Sequence, residues 1–425
     1  MMYFLVRPIA KLGLKVFFRH IHVYGIENIP NNVPVIIAAN HPTAFIDPCL
    51  ATCFQKRILN FIVRGDIFKN PMYIKILKSL NLIPIFRFKD GYANLKNNHE
   101  TFKYCFDVLK NEEAIFILAE GRTIQGKRLR PVQKGPARMA FGAYENFGTD
   151  NTVILPMGFT YERANEWRKD VLIECGEPIL IKDYIQLYKE SPNQAIQSVT
   201  DDLSKGMQTT IVHLENLHDD EFFDHLAEIS INEQGKSVFP IVRYENAQLT
   251  KEKSIAAKIN QLNADAKTEF QHHVNNYFKL LNKFGLSDLV VANVKKTAII
   301  PLILYALGLL ICLPALLFYA IPICLAKTIT LKRVHVLEFK APVLYALSTF
   351  LCLLWNLLLL LLSIVIFGLK SILALVLIFF MAFIGMIFYE KLKYYFKLLK
   401  YKYLPIISRK ELQSQRNQII AQFGL

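Results

Sequence analysis

Three uncharged runs near the C-terminus constrain this chain more than any other feature. Ala298 to Ala326 is 29 residues without a charge, Ala341 to Leu369 is another 29, and Ser371 to Tyr389 is 19. A helix needs about 20 mostly apolar residues to cross the hydrocarbon of a bilayer. Burying all three runs in a soluble core would demand an apolar interior far larger than the rest of the chain could enclose. A multi-pass integral membrane protein is expected. The flanks Lys295-Lys296, Lys327/Lys332/Arg333/Lys340 and Lys391/Lys393/Lys397/Lys400/Lys402 are basic, and Lys370 stands alone between the last two runs. The positive-inside rule places all three flanks in the cytosol. The last two runs then form a hairpin. The first is then expected to return to its starting side, with Pro301, Pro314 and Pro322 as the breaks of a re-entrant segment; the alternative is one plain span that leaves one basic flank outside. Ser408-Arg-Lys-Glu411 reads as the capping-box start of a short C-terminal helix.

Charge follows the same division. The chain carries 50 Lys+Arg against 35 Asp+Glu, a formal +15. Arg7, Lys11, Lys15 and Arg19 are unopposed in the first 19 residues. From Lys327 onward, 13 Lys+Arg face only Glu338, Glu390 and Glu411, so residues 20–326 carry about +1. The surplus sits at the two membrane-associated ends, which fits anionic lipid rather than an acidic polymer. No nucleic-acid module accompanies it, so nucleic acid is not an expected partner. The four-residue spacing of those N-terminal cations draws one stripe along a helix whose remaining surface is apolar, as in a helix lying in the membrane interface. Disorder is excluded, because 53% of the residues are hydrophobic.

From about 20 to 180, short apolar runs alternate with polar helical stretches. Strands are expected at Val33–Ala39, Leu59–Val63, Ile83–Phe86, Ala114–Leu118, Val153–Pro156 and Val171–Glu174, with helices at Asn98–Lys110 and Lys134–Tyr144. Strands separated by helices of this length indicate an α/β layer with a largely parallel sheet. A helical region follows, with its longest helical stretch over Tyr244–Ser287, and then the transmembrane helices. The expected organisation is an interfacial helix over 1–19, a catalytic domain over 20–240, a helical connector over 241–296, three apolar runs over 297–390 and a basic cytosolic tail over 391–425. The seven cysteines do not form a disulfide framework; Cys49 and Cys53 are four apart, as in a metal pair, but no second Cys/His pair follows, so they read as reduced, mostly buried thiols in a cytosol-facing protein. No metal site is expected.

The chemistry-bearing segment follows the first expected strand: Asn40-His41-Pro42-Thr43-Ala44-Phe45-Ile46-Asp47-Pro48. A His and an Asp this close can form a base–orienter pair, in which the carboxylate fixes the tautomer and the other ring nitrogen takes a proton. Six positions along a helix would put them on different faces, so the pair requires a turn, which Pro42 and Pro48 favour. Asn81-Leu-Ile-Pro-Ile-Phe-Arg87 is a short strand ending in Arg. Ile115-Phe-Ile-Leu-Ala-Glu120-Gly121-Arg122-Thr123 turns through Glu-Gly into a basic loop that reaches Lys134-Gly135-Pro-Ala-Arg138. Cations at strand ends, where α/β sheets hold ligands, suit a phosphate-bearing substrate, and Arg87 is the strongest candidate.

In order and spacing these blocks resemble the glycerolipid acyltransferases of the bacterial lysophosphatidate acyltransferase type. That family carries N-H-x-S-x-x-D and F-P-E-G-x-R-S followed by a K-x-G-x-A-like stretch. The similarity runs from about Val23 to Pro178. The resemblance implies that His41 deprotonates the acceptor hydroxyl for attack on an acyl thioester, with Asp47 as its orienter. It implies that Arg87 holds the acceptor phosphate, that Glu120 and Gly121 shape the glycerol-phosphate pocket, and that Arg122 and Lys134 join the substrate-binding set. Three departures stand out. Five residues separate His41 from Asp47 where four are usual, a spacing like that of a glycerol-3-phosphate acyltransferase-like branch. Thr43 or Ala44 stands in place of Ser. Ala119 replaces Pro, and Arg122 sits one place early.

The expected function is membrane-bound O-acyl transfer from acyl-CoA or acyl-carrier protein, as co-substrate, to lysophosphatidate or glycerol 3-phosphate. No cofactor is expected, and the catalytic domain is expected on the cytosolic face. The expected partners are the phospholipid bilayer, the acyl thioester and the glycerol-phosphate acceptor; oligomeric state is left open. A different class, a lipid-binding or lipid-moving protein with a degenerate acyltransferase domain, is the alternative. An amine acceptor is a variant within enzymes.

Overall fold

Apolar runs rich in Ile, Val and Phe build the centre of the fold. The computed structural model describes residues 2–68, 70–86, 98–234, 237–294 and 299–425. Two compact units emerge, one of residues 1–215, 239–253 and 336–342, the other of 216–238, 254–335 and 343–425.

In the first unit the strands are β1 (Ile21–Tyr24), β2 (Val35–Ala39), β3 (Leu59–Arg64), β4 (Leu82–Ile85), β5 (Ala114–Leu118), β6 (Val153–Tyr161), β7 (Val171–Cys175), β8 (Ile179–Leu180) and β9 (Val242–Arg243). They form one sheet in the order β4-β3-β5-β2-β6-β7-β1-β9, with β8 beside β6. Pairing is parallel except where β6 meets β7 and β8. This is the expected α/β layer. Strands β1, β8 and β9 were not expected, and β6 runs five residues past the expected stop at Pro156. Pro156 breaks nothing because β8 pairs with residues 153–154 and β7 with 157–161, so its missing N–H falls in the gap between two neighbours. Pro84 lies on edge strand β4, where a missing donor is likewise tolerated.

The helices of this unit are α1 (Met2–Phe17), α2 (Ile46–Cys53), α3 (Pro71–Ser79), α4 (Asn98–Lys110), α5 (Gly135–Phe147), α6 (Ile185–Glu190) and α7 (Pro192–Thr209). Local chemistry sets several ends. Asn70 caps α3 by accepting from Met72 N–H, ahead of Pro71 at the first turn, and α5 stops at Gly148 in the left-handed region. Ile36, Ala38, Ile115 and Ile154 of the sheet pack against Leu109, Ala140, Phe141 and Leu203 of the helices. Each large apolar side chain buried there contributes about 1.5–3 kcal/mol.

Helix α1 is turned differently from a simple cationic ribbon. Arg7 donates to the Gln55 carbonyl, Lys11 lies over the Phe54 ring, and Leu14 and Phe17 are buried. Phe4, Leu5 and Leu12 are exposed instead. Two of the four stripe cations therefore tie the helix to the domain and leave an apolar ridge outward.

The second unit holds α8 (Asp220–Gln234), most of α9 (Ala247–Gln261), α10 (Ala264–Lys283), α11 (Asp288–Ala292), α12 (Ile299–Arg333), most of α13 (Leu337–Phe367), α14 (Lys370–Lys402) and α15 (Ile406–Phe423). The expected single stretch over Tyr244–Ser287 is broken at 262–263, where Asn263 caps α10 through Ala266 N–H. Buried Asp288 accepts from Arg416 at 2.7 Å, Tyr277 at 2.7 Å and Asn232 at 3.0 Å, joining α8, α10, α11 and α15. Helix α15 starts at Ile406 with Pro405 at the N-cap, so Ser408 and Glu411 lie inside it and no capping box is formed.

Helices α12, α13 and α14 are long and apolar enough to cross a membrane. The first apolar run does not double back. It is one helix, with Pro314 and Pro322 inside it and Pro301 in its first turn, where a proline costs little. Tyr305 stacks on Tyr395 and Tyr319 meets Phe379, so α12 and α14 pack antiparallel. Lys391–Lys402 therefore shares an end with the start of α12, and Lys332-Arg333 lies at the other.

Candidate active site

Strand β2 ends at Ala39, between β5 and β6, and the next two residues build the site at the carboxyl edge of these strands. The Asn40 side chain accepts from Phe159 N–H at 2.8 Å and donates to Phe159 O at 3.0 Å, prolonging the β2–β6 ladder by one step. That fixes the backbone from which His41 projects. Residues 41–45 then form the turn that the pair requires, and Asp47 lies in the first turn of α2, where the helix dipole favours a carboxylate. His41 Nδ1 lies 3.0 Å from Asp47 Oδ2. A carboxylate only accepts, so Nδ1 carries the hydrogen and Nε2 presents its lone pair.

Asp47 is fully buried and held by uncharged donors besides His41. Thr43 N–H donates to Oδ2 at 3.1 Å, and the hydroxyls of Thr43 and Tyr161 each donate to Oδ1 at 2.6 Å. Burial, with Asp47 beside it, pushes the Tyr161 phenol well above its ordinary range, so it stays a donor. On the other side of the ring, Thr123 Oγ1 lies 2.6 Å from His41 Nε2. The hydroxyl donates to that lone pair.

Glu120, buried after β5, accepts from His41 N–H at 2.7 Å and from Arg130 N–H at 2.8 Å. Burial raises its carboxyl above the usual range, against the pull of those two N–H groups. Ile124 N–H donates to His41 O at 3.2 Å, so the loop after β5 is stitched to the His41 backbone on both sides. Gly121 makes this turn with φ +69°, a left-handed conformation that glycine adopts without strain.

The structure thus brings His41, Asp47 and Glu120 together. Gly121, Arg122 and Lys134 are exposed, with Lys134 immediately before α5. Arg87 lies outside the described residues. Thr123 and Tyr161 were not singled out as site residues from the sequence. An expected strand end at Pro156 hides Tyr161, and Thr123 stands at the end of the Glu120-Gly121-Arg122 block without a sequence signal for a role.

Three of the departures from the motif have a structural counterpart, and the early placing of Arg122, which is exposed, has none. Thr43 supplies a hydroxyl to Asp47. The extra residue is absorbed in the 41–45 turn. Ala119 uses an N–H that proline lacks, donating to Ala39 O at 2.8 Å. Elsewhere on the sheet, His20, His22 and Asp170 place donor atoms within 4.8 Å of one another, with His20 Nδ1 3.1 Å from Asp170 Oδ1. Among the described residues this is the one group with metal-ligand composition.

Residues 20–160 match the acyltransferase family model, and they contain the whole His41–Asp47–Glu120 constellation. Over these residues the chain is similar to an acyltransferase domain of the glycerolipid acyltransferase family. Glycerol-3-phosphate O-acyltransferase 2 of Saccharomyces cerevisiae is 31% identical over 117 residues, which cover 27% of this chain and 16% of that protein. Glycerol-3-phosphate O-acyltransferase 1 of the same yeast is 29% identical over 124 residues, 28% of this chain and 16% of its own. The match therefore spans about a sixth of each yeast acyltransferase. Among solved structures, the 1-acyl-sn-glycerophosphate acyltransferase of Thermotoga maritima aligns with a TM-score of 0.35 and 19% identity, covering 48% of this chain and 78% of that one.

Proposed function

We propose that the protein is a membrane-bound O-acyltransferase that moves a fatty acyl group from an acyl thioester to a glycerol phosphate. The observation that carries this reading is the His41–Asp47 pair, 3.0 Å apart within the acyltransferase domain. Its Nδ1–H is committed to the carboxylate, so Nε2 is the atom that takes a proton from an attacking hydroxyl. Asp47 then faces the imidazolium that forms and lowers its cost. The thiol of the donor leaves with that proton. Glu120 acts on the base indirectly, by fixing the His41 backbone through its N–H. Arg87, Arg122 and Lys134 are the cations proposed to meet the acceptor phosphate. No metal is needed for these steps.

The yeast relatives are named for glycerol 3-phosphate, which makes it the first acceptor to test, with lysophosphatidate beside it. The structural partners found for Thr43 and Ala119 favour a working site over a degenerate lipid-binding domain. The exposed ridge of Phe4, Leu5 and Leu12 supports α1 as an interfacial helix. The domain is proposed to face the cytosol. The test is acyl transfer from a long-chain acyl-CoA to both acceptors by purified full-length protein, beside His41→Ala. Transfer to either acceptor that collapses in the variant is expected. Equal activity in His41→Ala would remove His41 as the base, and no transfer to either acceptor would remove the reading.

A further inference from the structure

We infer that His20, His22 and Asp170 form a binding site for one divalent transition-metal ion of the zinc class, which staples β1 to β7. The site is separate from the proposed acyl transfer. By strand register Ile21, Val171 and Tyr161 share one face of the sheet, the face from which the Tyr161 hydroxyl reaches Asp47. His20, His22 and Asp170 alternate with them and lie on the opposite face.

The backbone brings the three donors together. Residues i and i+2 of a strand line one face, so His20-Ile21-His22 presents two imidazoles side by side, with ring centroids 6.1 Å apart and planes at 70°. The third donor comes from the neighbouring parallel strand. Arg19 N–H donates to Lys169 O at 3.0 Å and Val171 N–H to His20 O at 3.1 Å, which holds Asp170 level with His20. Glu162 fixes the Asp170 backbone in turn. Its carboxylate accepts from Asp170 N–H at 3.0 Å, and its own N–H donates to Asp170 O at 3.0 Å. Asp170 lies 150 positions from His20 along the chain, so no local spacing announces the set.

Distance, burial and donor chemistry agree. One ligand atom from each residue lies within 4.8 Å of the others, and His20 Nδ1 is 3.1 Å from Asp170 Oδ1. Two donors at zinc-ligand distance in a tetrahedron are about 3.3 Å apart, so this pair already has the spacing of a coordination edge. A small swing of the His22 ring closes the rest. All three side chains are buried, where a carboxylate is costly unless positive charge meets it. A dication supplies that charge, and imidazole nitrogen with carboxylate oxygen is a zinc donor set, a water completing the tetrahedron. The ion replaces the hydrogen between Nδ1 and Asp170. His20 then carries its N–H on Nε2 and stays neutral. Arg243 stands level with His22 on β9, but its Nε is committed to Pro240 O at 3.2 Å.

The test uses tag-free full-length protein, purified in detergent from cells grown with added zinc sulfate. Elemental analysis should find about one zinc per chain, and zinc-edge X-ray absorption should show two imidazoles with oxygen and no sulfur. EDTA should strip the ion slowly from native protein and at once from unfolded protein, because the donors are buried. Its removal should lower the thermal midpoint by about 5 °C. His22→Gln and Asp170→Asn, each checked by circular dichroism, should retain about a tenth or less of the zinc. His272→Ala, at an exposed histidine of α10, should retain all of it. Wild-type protein without zinc, a shell containing sulfur, full zinc in either folded variant, or zinc lost in His272→Ala overturns the site. A midpoint unmoved by metal removal overturns the staple. If a variant fails to fold, the absorption spectrum of the wild type decides alone, and none of these readouts depends on acyl transfer.

Discussion

Tyr161 donates its phenolic hydrogen to Asp47 at 2.6 Å, from the far end of a strand that starts eight residues earlier on the other side of Pro156. Asp47 is thereby held in a fully buried place by donors from Thr43, Tyr161 and His41 together. Tyr161→Phe keeps the ring and deletes one charge-assisted bond. The expected loss is about 1.5–3 kcal/mol of stability. In activity, kcat should fall about tenfold while KM for either substrate stays level, because the Tyr161 hydroxyl bonds the orienter and its Thr43 partner rather than the base. Thermal unfolding in detergent and steady-state kinetics check both parts.

Asp47→Asn separates orientation from mere packing. An amide in this place can offer N–H to Nδ1, which then becomes the acceptor and turns Nε2 into the donor. The base would carry its hydrogen on the wrong atom. A fall in kcat of about 10³–10⁴, with the fold intact by circular dichroism, is expected on the scale seen when the orienting acid of a triad is amidated. Activity within tenfold of the wild type would show that Asp47 only packs.

Much of the site was legible because His41, Asp47 and Glu120 sit at chain breaks that sequence marks clearly: prolines around the first two, a glycine after the third. The sheet was legible for the same reason, since β2 and β5 are continuous apolar runs buried on both faces. What escaped depended on pairing. Pro156 looks like a strand end until its neighbours β8 and β7 are known to leave a gap beside it, and Tyr161 was lost with that strand end. Strands β8 and β9 are two residues each, too short to show a period. The prolines of α12 were misleading, since the helix continues through Pro314 and Pro322. A proline signals a lost hydrogen bond and not by itself a reversal of direction.

Glu120 gives a stability signature with a definite sign. Burial raises its carboxyl in the folded protein above the unfolded value, so the folded state binds that proton more tightly. Stability then falls as pH rises through the window between the ordinary carboxylate value and the raised one, and it recovers below that window. Glu120→Gln removes this titration. The thermal midpoint of the wild type, referred to Glu120→Gln, should decline as pH rises from the ordinary carboxylate range, and a flat difference would contradict it. Glu120→Ala also orphans the N–H groups of His41 and Arg130. It should cost about 1–3 kcal/mol for each one left dry, and with it the alignment of the base.

Thiol chemistry offers a final check on the interior around the site. Burial pushes Cys49 and Cys105 to about 12 and Cys53 to about 11, with neighbouring Asp47 and Cys53 adding to the effect at Cys49. At pH 8 the reactive thiolate is then at most about one part in a thousand of Cys53 and less of the others. Iodoacetamide on folded protein should leave all three unmodified over an hour while unfolded protein is labelled at each. Acyl transfer should survive the treatment, because in the proposed reaction the imidazole of His41 moves the proton and no cysteine of the protein takes part. Rapid loss of activity accompanied by labelling at Cys49 would mean that the first turns of α2 open far enough to expose the orienting carboxylate to water.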